Sequence, residues 1–265
     1  MLLNRRLSVL WAAAIMLLTV LLASGVALGI TFGTDDGTKH PNVGALVSEE
    51  EGAYCTGTLV AGKNNGPPVF VTAAHCYPLE GDTSYVTFDP TYPTYNGRSS
   101  TEYAGTWHED SQYYLRGHDI AVVVFDKGDK PPNVNLEKLP KVNSLNTLTK
   151  GQKFTAVGYG VTSGTSDDSG TRRYSVSSFT SKNTYFLGLS QNQKQGNSGT
   201  CYGDSGGPNF FGAGTSETHI NAALTNTGDA MCKSKNTVLR LDTQVAHDFL
   251  DDYVASDAFV PIPQP

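Results

Sequence analysis

Charge is scarce in this sequence. Asp, Glu, Lys and Arg make up 17% of its 265 residues against 38% hydrophobic residues, too little charge for a charge-driven disordered chain. Basic residues are the scarcer sign, 19 against 25 acidic, for a net charge of −6. That balance excludes a histone-like binder of nucleic acid, whose phosphate contacts need the opposite sign. Methionine occurs only 3 times and cysteine only 4 times, and neither a Cys-x-x-Cys nor a His-x-x-x-His spacing is present to support a zinc site. No heptad pattern, internal repeat or low-complexity tract occurs, which removes a coiled coil. No Asn-x-Ser/Thr sequon occurs either, so N-glycosylation has no support. Beyond residue 29 no hydrophobic run is long enough to cross a bilayer, which excludes a multi-span membrane protein.

Breakers and aromatics are plentiful instead: 28 Gly, 13 Pro, 13 Tyr and 11 Phe, a mix that suits short strands and tight turns. Six β-rich runs come first: Asn42–Val47, Gly57–Ala61, Val69–Thr72, Ser84–Phe88, Glu102–Trp107 and Ile120–Phe125. The polar, Pro-containing stretch 127–150 interrupts them. A second group follows at Lys153–Gly158, Arg173–Ser178, Tyr185–Leu189, Pro208–Phe211, His219–Thr225 and Thr237–Leu241. A helix is expected over Thr243–Ala255, where Val245, Phe249, Leu250 and Tyr253 share a face and Asp242 or Thr243 can cap the start. The tail from Val260 is expected to be extended or disordered. Two strand groups joined by a linker predict an all-β chain of two antiparallel domains: 30–126, then 151–242 after the linker, with the helix and the tail 256–265 behind them.

The first 29 residues differ from the rest. Arg5 and Arg6 precede an apolar run over Leu7–Leu22, and small residues follow. This is the pattern of a secretory signal peptide. Ala27 and Gly29 fit a cut before Ile30, a cut after Gly25 also fits, and an uncleaved anchor is the alternative. Export to an oxidising, extracellular compartment is the expectation, which an even number of cysteines suits.

Three motifs carry chemistry. Gly203-Asp204-Ser205-Gly206-Gly207-Pro208 surrounds a serine with glycines that let a backbone approach a substrate and aim N–H groups at its carbonyl oxygen. A serine hydroxyl needs a base to become a nucleophile. Thr72-Ala73-Ala74-His75-Cys76 supplies a histidine at the end of an apolar strand, and His118-Asp119-Ile120 supplies an acid just before another. A buried carboxylate there needs a partner.

In that order, His75, Asp119 and Ser205 resemble the chymotrypsin/trypsin family of serine endopeptidases, over Ile30 to Ala255. The resemblance implies two six-stranded β-barrels with the site between them, and a chain that acts on protein or peptide substrates. Neither cofactor nor metal is implied, and the chain is expected to be a monomer free of the membrane once cleaved. Ser205 would attack the scissile carbonyl, His75 would move the proton, and Asp119 would orient His75. The N–H groups of Gly203 and Ser205 would form the oxyanion hole. The resemblance pairs Cys55 with Cys76 and Cys201 with Cys232, and it marks Lys63–Pro68 as an insertion without function. It also implies that a freed Ile30 ammonium pairs with Asp204. Gly199, Thr200, Asn226 and Gly228 would line the specificity pocket, with Asn226 and Gly228 offering backbone bonds. Gly199 stands where trypsin-like members carry an aspartate, so an uncharged side chain is expected before the cut, medium-sized or aromatic. Asp229 lies near enough to oppose that preference. A non-catalytic binding protein on the same fold is the rival reading. His108, His118, His219, His247, Tyr159 and the tyrosines between Tyr77 and Tyr114 are expected to be structural or solvated.

Overall fold

The computed structural model describes residues 30–78, 83–92 and 101–263. The leader, with both expected cleavage sites, lies outside them, as does part of the Tyr-rich stretch.

A short strand β1 (Thr34–Asp35) opens the described chain, and six strands then close a barrel: β2 (Val43–Ser48), β3 (Gly52–Val60), β4 (Val69–Thr72), β5 (Thr83–Thr87), β6 (Glu102–Glu109) and β7 (Ala121–Phe125). They pair in the cyclic order β2-β3-β4-β7-β6-β5, all antiparallel. The linker contributes β8 (Leu139–Pro140). A second ring follows from β9 (Lys153–Gly158), β10 (Arg173–Lys182), β11 (Phe186–Ser190), β12 (Pro208–Phe211), β13 (Asn221–Gly228) and β14 (Lys235–Arg240). It runs β10-β11-β14-β13-β12-β9 and closes through β9–β10, with β1 added along β10. The fold is two closed six-stranded antiparallel barrels with, among the described residues, one α-helix, α1 (Gln244–Leu250), as the motifs implied. No helix among the described residues is long and apolar enough to cross a membrane.

Alternation of side chains along each strand decides where the cores lie. Leu46, Leu59, Phe70, Val86 and Val123 fill the first barrel, and Phe154, Phe179, Leu187, Phe211 and Val238 fill the second. The other face of β2 is not solvated: Val43, Ala45 and Val47 meet Val157, Tyr159 and Phe210 of the second barrel. Hence β2 is buried at every position, a pattern that an isolated strand pair would not need. Two disulfides, Cys55–Cys76 and Cys201–Cys232, close loops of 21 and 31 residues, each contributing about 3 kcal/mol in the chain-entropy view.

The strands β4, β9 and β12 fall on the expected residues. Strand β3 begins earlier than the hydrophobic pattern suggests because Gly52 and Ala53 form a hairpin with Ser48 and Val47. Strand β10 runs further because Ser181 and Lys182 resume pairing with β11 after a bulge. The helix is shorter than expected. It starts as predicted, with the Thr243 hydroxyl accepting the Ala246 N–H at 3.1 Å, and buries Ala246, His247 and Leu250. It stops at Leu250 because the backbone beyond it is recruited elsewhere: Tyr253 O accepts Lys63 N–H at 2.8 Å, and Ala255 N–H donates to Ala61 O at 2.9 Å. The supposed insertion at Lys63 is therefore a dock for the chain after the helix. The tail is also more ordered than expected. Phe259–Val260 pairs in parallel with β8, and Ile262 is buried among the second-barrel core residues.

One polar element ties the segment between β1 and β2 to both barrels. Arg172, fully buried, donates from Nε to Asp36 at 2.9 Å, from Nη2 to Gly37 O at 2.8 Å, and from Nη1 to Val43 O, Phe88 O and the Tyr159 hydroxyl. Asp36 and Glu217 hold opposite ring nitrogens of His40. Burial pushes His40 down, but bonds to these two carboxylates outweigh it and hold the imidazole up at about 9. Removing the guanidinium would take a donor from the buried Asp36, which would keep only its contacts to His40, and from the carbonyls of Gly37, Val43 and Phe88. We expect Arg172→Ala to lower the unfolding free energy by about 3–5 kcal/mol in urea titration. A loss under ~1 kcal/mol would contradict the tie.

Candidate active site

Each barrel delivers one half of the site. In the first, β4 ends at Thr72 and the chain turns through Ala74–Cys76, pinned by the disulfide to Cys55 on β3. This presents His75 to solvent. Asp119, just ahead of β7, grips His75 at two points: Oδ1 accepts its backbone N–H at 2.8 Å, and Oδ2 accepts the ring Nδ1–H at 2.7 Å. With Nδ1 committed as donor, the neutral ring carries its lone pair on Nε2, on the open side. A third donor reaches the same carboxylate. The side-chain amide of Asn226, on β13 of the second barrel, donates to Asp119 Oδ2.

The second barrel supplies the loop between β11 and β12, and Thr56 of β3 holds it from across the interface. The Thr56 N–H donates to Ser205 O at 2.8 Å and its hydroxyl to Gly203 O at 2.9 Å. With those two carbonyls taken, the N–H groups of Gly203 and Ser205 have no acceptor among the described residues. Gly203 has φ +91°, and a side chain there would meet the backbone of Gly160 at 2.9 Å, so glycine is required. The half-buried Ser205 makes no hydrogen bond to His75 among the described residues. The loop that carries it packs against Thr72 and Ala73, directly ahead of the histidine.

Asp204 is wholly buried. Its Oδ1 accepts Gly160 N–H at 2.8 Å and its Oδ2 accepts Cys201 N–H at 2.7 Å. Burial pushes the carboxyl up from 3.8 to about 7, and the two N–H groups and Arg173 offset this only in part. Ile30 is also buried, and its neighbour Thr31 accepts the Gly199 N–H at 3.1 Å, so the segment ahead of β1 runs beside this loop.

A cavity of about 260 Å³ opens next to Ser205, with Thr200, Asn226, Gly228, Asp229 and Cys232 among its walls. Gly199 is not part of the wall. It stands behind it, packed against the buried Gln191 side chain. Asp229 is engaged by its own turn: although burial pushes its carboxyl up, the N–H groups of Lys235, Ser234 and Lys233 hold it below its usual range. The described residues offer one grouping with the make-up of a metal site, Cys55, His75 and Cys76. Its sulfurs are joined as the disulfide and its Nδ1 is bound to Asp119, which does not fit a metal.

The remaining histidines have structural partners. His118 bonds Asp110 at 2.7 Å, His219 bonds Glu137 at 3.2 Å, His247 bonds Pro140 O at 2.9 Å, and His108 lies against the Tyr253 ring. Sequence reasoning missed Thr56, Gln191 and the Asn226 side chain. None lies in a motif, and each is defined by a contact across the fold.

A sequence model of the family described as Trypsin matches residues 32–248. No curated protein matches by sequence. Among solved structures, an atomic-resolution structure of HBP is 18% identical with a TM-score of 0.62, covering 89% of this chain and all of that one. Human heparin binding protein is 17% identical with a TM-score of 0.61, over the same 89% and 100%. A mutant of human heparin binding protein (CAP37) is 15% identical with a TM-score of 0.62, over 84% and 95%. At these identities the likeness is one of fold.

The burial of Asp204 sets a pH dependence. A carboxyl raised in the folded state binds its proton more tightly there than when unfolded, so its contribution to stability is full below about 4 and is lost as pH rises to about 7. In a form beginning at Val26, which keeps residues ahead of Ile30, we expect the urea midpoint to fall across that window. Asp204→Asn should flatten the fall. Parallel profiles for the two forms would refute this.

Proposed function

Because this chain belongs to the trypsin family, we propose that it is an exported serine endopeptidase that hydrolyses peptide bonds through an acyl-enzyme. The observation that carries the reading is the two-point grip of Asp119 on His75 beside a serine loop whose backbone donors are left open. Ser205 Oγ attacks the scissile carbonyl carbon while His75 Nε2 takes its proton, and the carbonyl oxygen becomes an oxyanion facing the N–H groups of Gly203 and Ser205. As the tetrahedral intermediate collapses, His75 returns the proton to the leaving amine. Water then repeats the sequence on the ester. Asp119 keeps the ring in the productive tautomer and stabilises its charged form. A glycine at 199, which brings no carboxylate beneath the cavity, and an Asp229 engaged by the N–H groups of its own turn support a preference for an uncharged residue before the cut.

Activation follows from the same geometry. Signal-peptide removal ahead of Ile30 frees an ammonium that pairs with Asp204, a buried carboxylate otherwise met only by backbone donors. The buried Ile30 and the Thr31–Gly199 bond support this placement. A non-catalytic role, such as the heparin binding for which the structural neighbours are named, has less support here, since a net charge of −6 repels a polyanion.

Two measurements test these readings. Ser205→Ala should abolish both peptide hydrolysis and labelling by fluorophosphonates while leaving the circular dichroism unchanged; persistent labelling would displace Ser205 as nucleophile. Mass spectrometry of the secreted protein should find Ile30 at its start. A fully active protein beginning at Val26 would sink the activation route.

A further inference from the structure

We propose that the Thr56 hydroxyl positions the oxyanion hole, orienting from a strand of the first barrel the donors that the second barrel carries. The inference rests on the endopeptidase reading above and adds a positioning residue to it. Thr56 lies on β3 directly after Cys55, whose disulfide holds the turn that carries His75. It is fully buried, and each of its polar atoms is engaged. The N–H donates to Ser205 O at 2.8 Å, and the carbonyl accepts the Thr72 hydroxyl at 2.8 Å. The Thr56 hydroxyl itself accepts the Tyr159 N–H at 3.2 Å and donates to Gly203 O at 2.9 Å.

A peptide unit is planar, so a bond to its carbonyl also fixes the direction of its N–H. In the serine loop, four successive units are held in alternation. The 202–203 unit is held through Tyr202 O, which accepts Val161 N–H at 2.8 Å, and the 204–205 unit through Asp204 O, which accepts Gly207 N–H at 2.9 Å. These two leave their own N–H groups open, on Gly203 and on Ser205. The units between and after them are held at both ends. Asp204 N–H donates to Cys201 O at 3.1 Å and Gly206 N–H to Thr225 O at 2.8 Å, while the carbonyls of Gly203 and Ser205 both go to Thr56.

Of the two bonds from Thr56, the one to Ser205 O comes from the backbone and survives a change of side chain. The one to Gly203 O does not. Gly203 has φ +91° and the wide conformational range of a glycine, so the hydroxyl restrains the loop where the chain itself restrains it least. Because Thr56 adjoins Cys55, the stretch that pins the His75 turn also orients the donors, and base and hole keep one register.

The test measures kcat and KM of the processed, secreted protein on one peptide amide, per active site counted by fluorophosphonate titration run to completion. Thr56→Val replaces the hydroxyl by a methyl, and Thr56→Ser and Thr56→Ala differ by the hydroxyl alone. Thr56→Val should lower kcat at least about tenfold with KM within about twofold, the split expected when an interaction serves the transition state more than the bound substrate. Thr56→Ser should stay within about threefold of wild type, and Thr56→Ala should fall at least about tenfold below Thr56→Ser. A peptide boronic acid, which forms a tetrahedral adduct on a serine, should lose affinity in parallel with kcat. A purely structural role would lower the number of titratable sites while leaving kcat per site and boronate affinity unchanged, and that result overturns the proposal. A wild-type chain that neither labels nor cleaves overturns the endopeptidase reading and this one with it. A Thr56→Val form that labels normally and keeps the wild-type kcat overturns the role of Thr56 alone. Should Thr56→Val not fold, the serine and alanine forms decide. Should Thr56→Ala not fold either, a tenfold lower kcat in Thr56→Ser would overturn the proposal.

Discussion

The carboxylate of Asp204 is taken wholly out of water and, among the described residues, is met by the backbone N–H groups of Gly160 and Cys201. Desolvating a carboxylate costs several kcal/mol, which two neutral donors do not offset; hence burial lifts its pKa to about 7. The loop that carries Ser205 is built around this group. Cys201 turns inward to donate to it, Gly207 N–H returns to its carbonyl at 2.9 Å, and the carbonyls of Gly203 and Ser205 on either side accept from Thr56. In the activation proposed above, a cation brought to this carboxylate would supply the partner that the two N–H groups do not. The end of a chain is the simplest cation to deliver, since it can be withheld until a peptide bond is cut.

The site also requires the barrels to hold a fixed relation. His75 and Asp119 come from the first and Ser205 from the second, and no disulfide crosses between them among the described residues. Apolar packing of Val43, Ala45 and Val47 against Val157 and Phe210 supplies area but little direction. Direction comes from polar contacts across the interface: Thr56 to the carbonyls of Gly203 and Ser205, Asn226 to Asp119, and Arg172 to the backbone of Val43 and Phe88. These bonds tolerate little sliding, because a hydrogen bond weakens steeply once distance and angle leave their narrow range.

The parts of this arrangement legible in the sequence are those written locally. Glycines around Ser205, an apolar run ending at His75 and another starting after Asp119 are short-range patterns, and so are the twelve barrel strands, written as short β-rich runs bounded by Gly, Pro and Asn. Strand ends depart from that pattern where pairing, not composition, sets them, as at Gly52 and Lys182. Phe249 and Tyr253 fit a longer helical face than the chain forms, because the actual end is set by backbone bonds to Ala61 and Lys63. Nothing nearby in sequence announces that Arg172 joins Asp36, or that Glu217 reaches His40 across 177 positions.

Gln191 illustrates why such residues escape a linear reading. A polar residue just after a strand ordinarily reads as a solvated turn, and the rule that buried polar groups are paired argues against placing it inside. Here the amide is inside because Gly199 leaves room for it and because two carbonyls at the edges of the pocket have no other donor as near as Nε2. The unpaired Oε1 is the residue of a compromise: the side chain satisfies the walls at one end and leaves an acceptor stranded at the other.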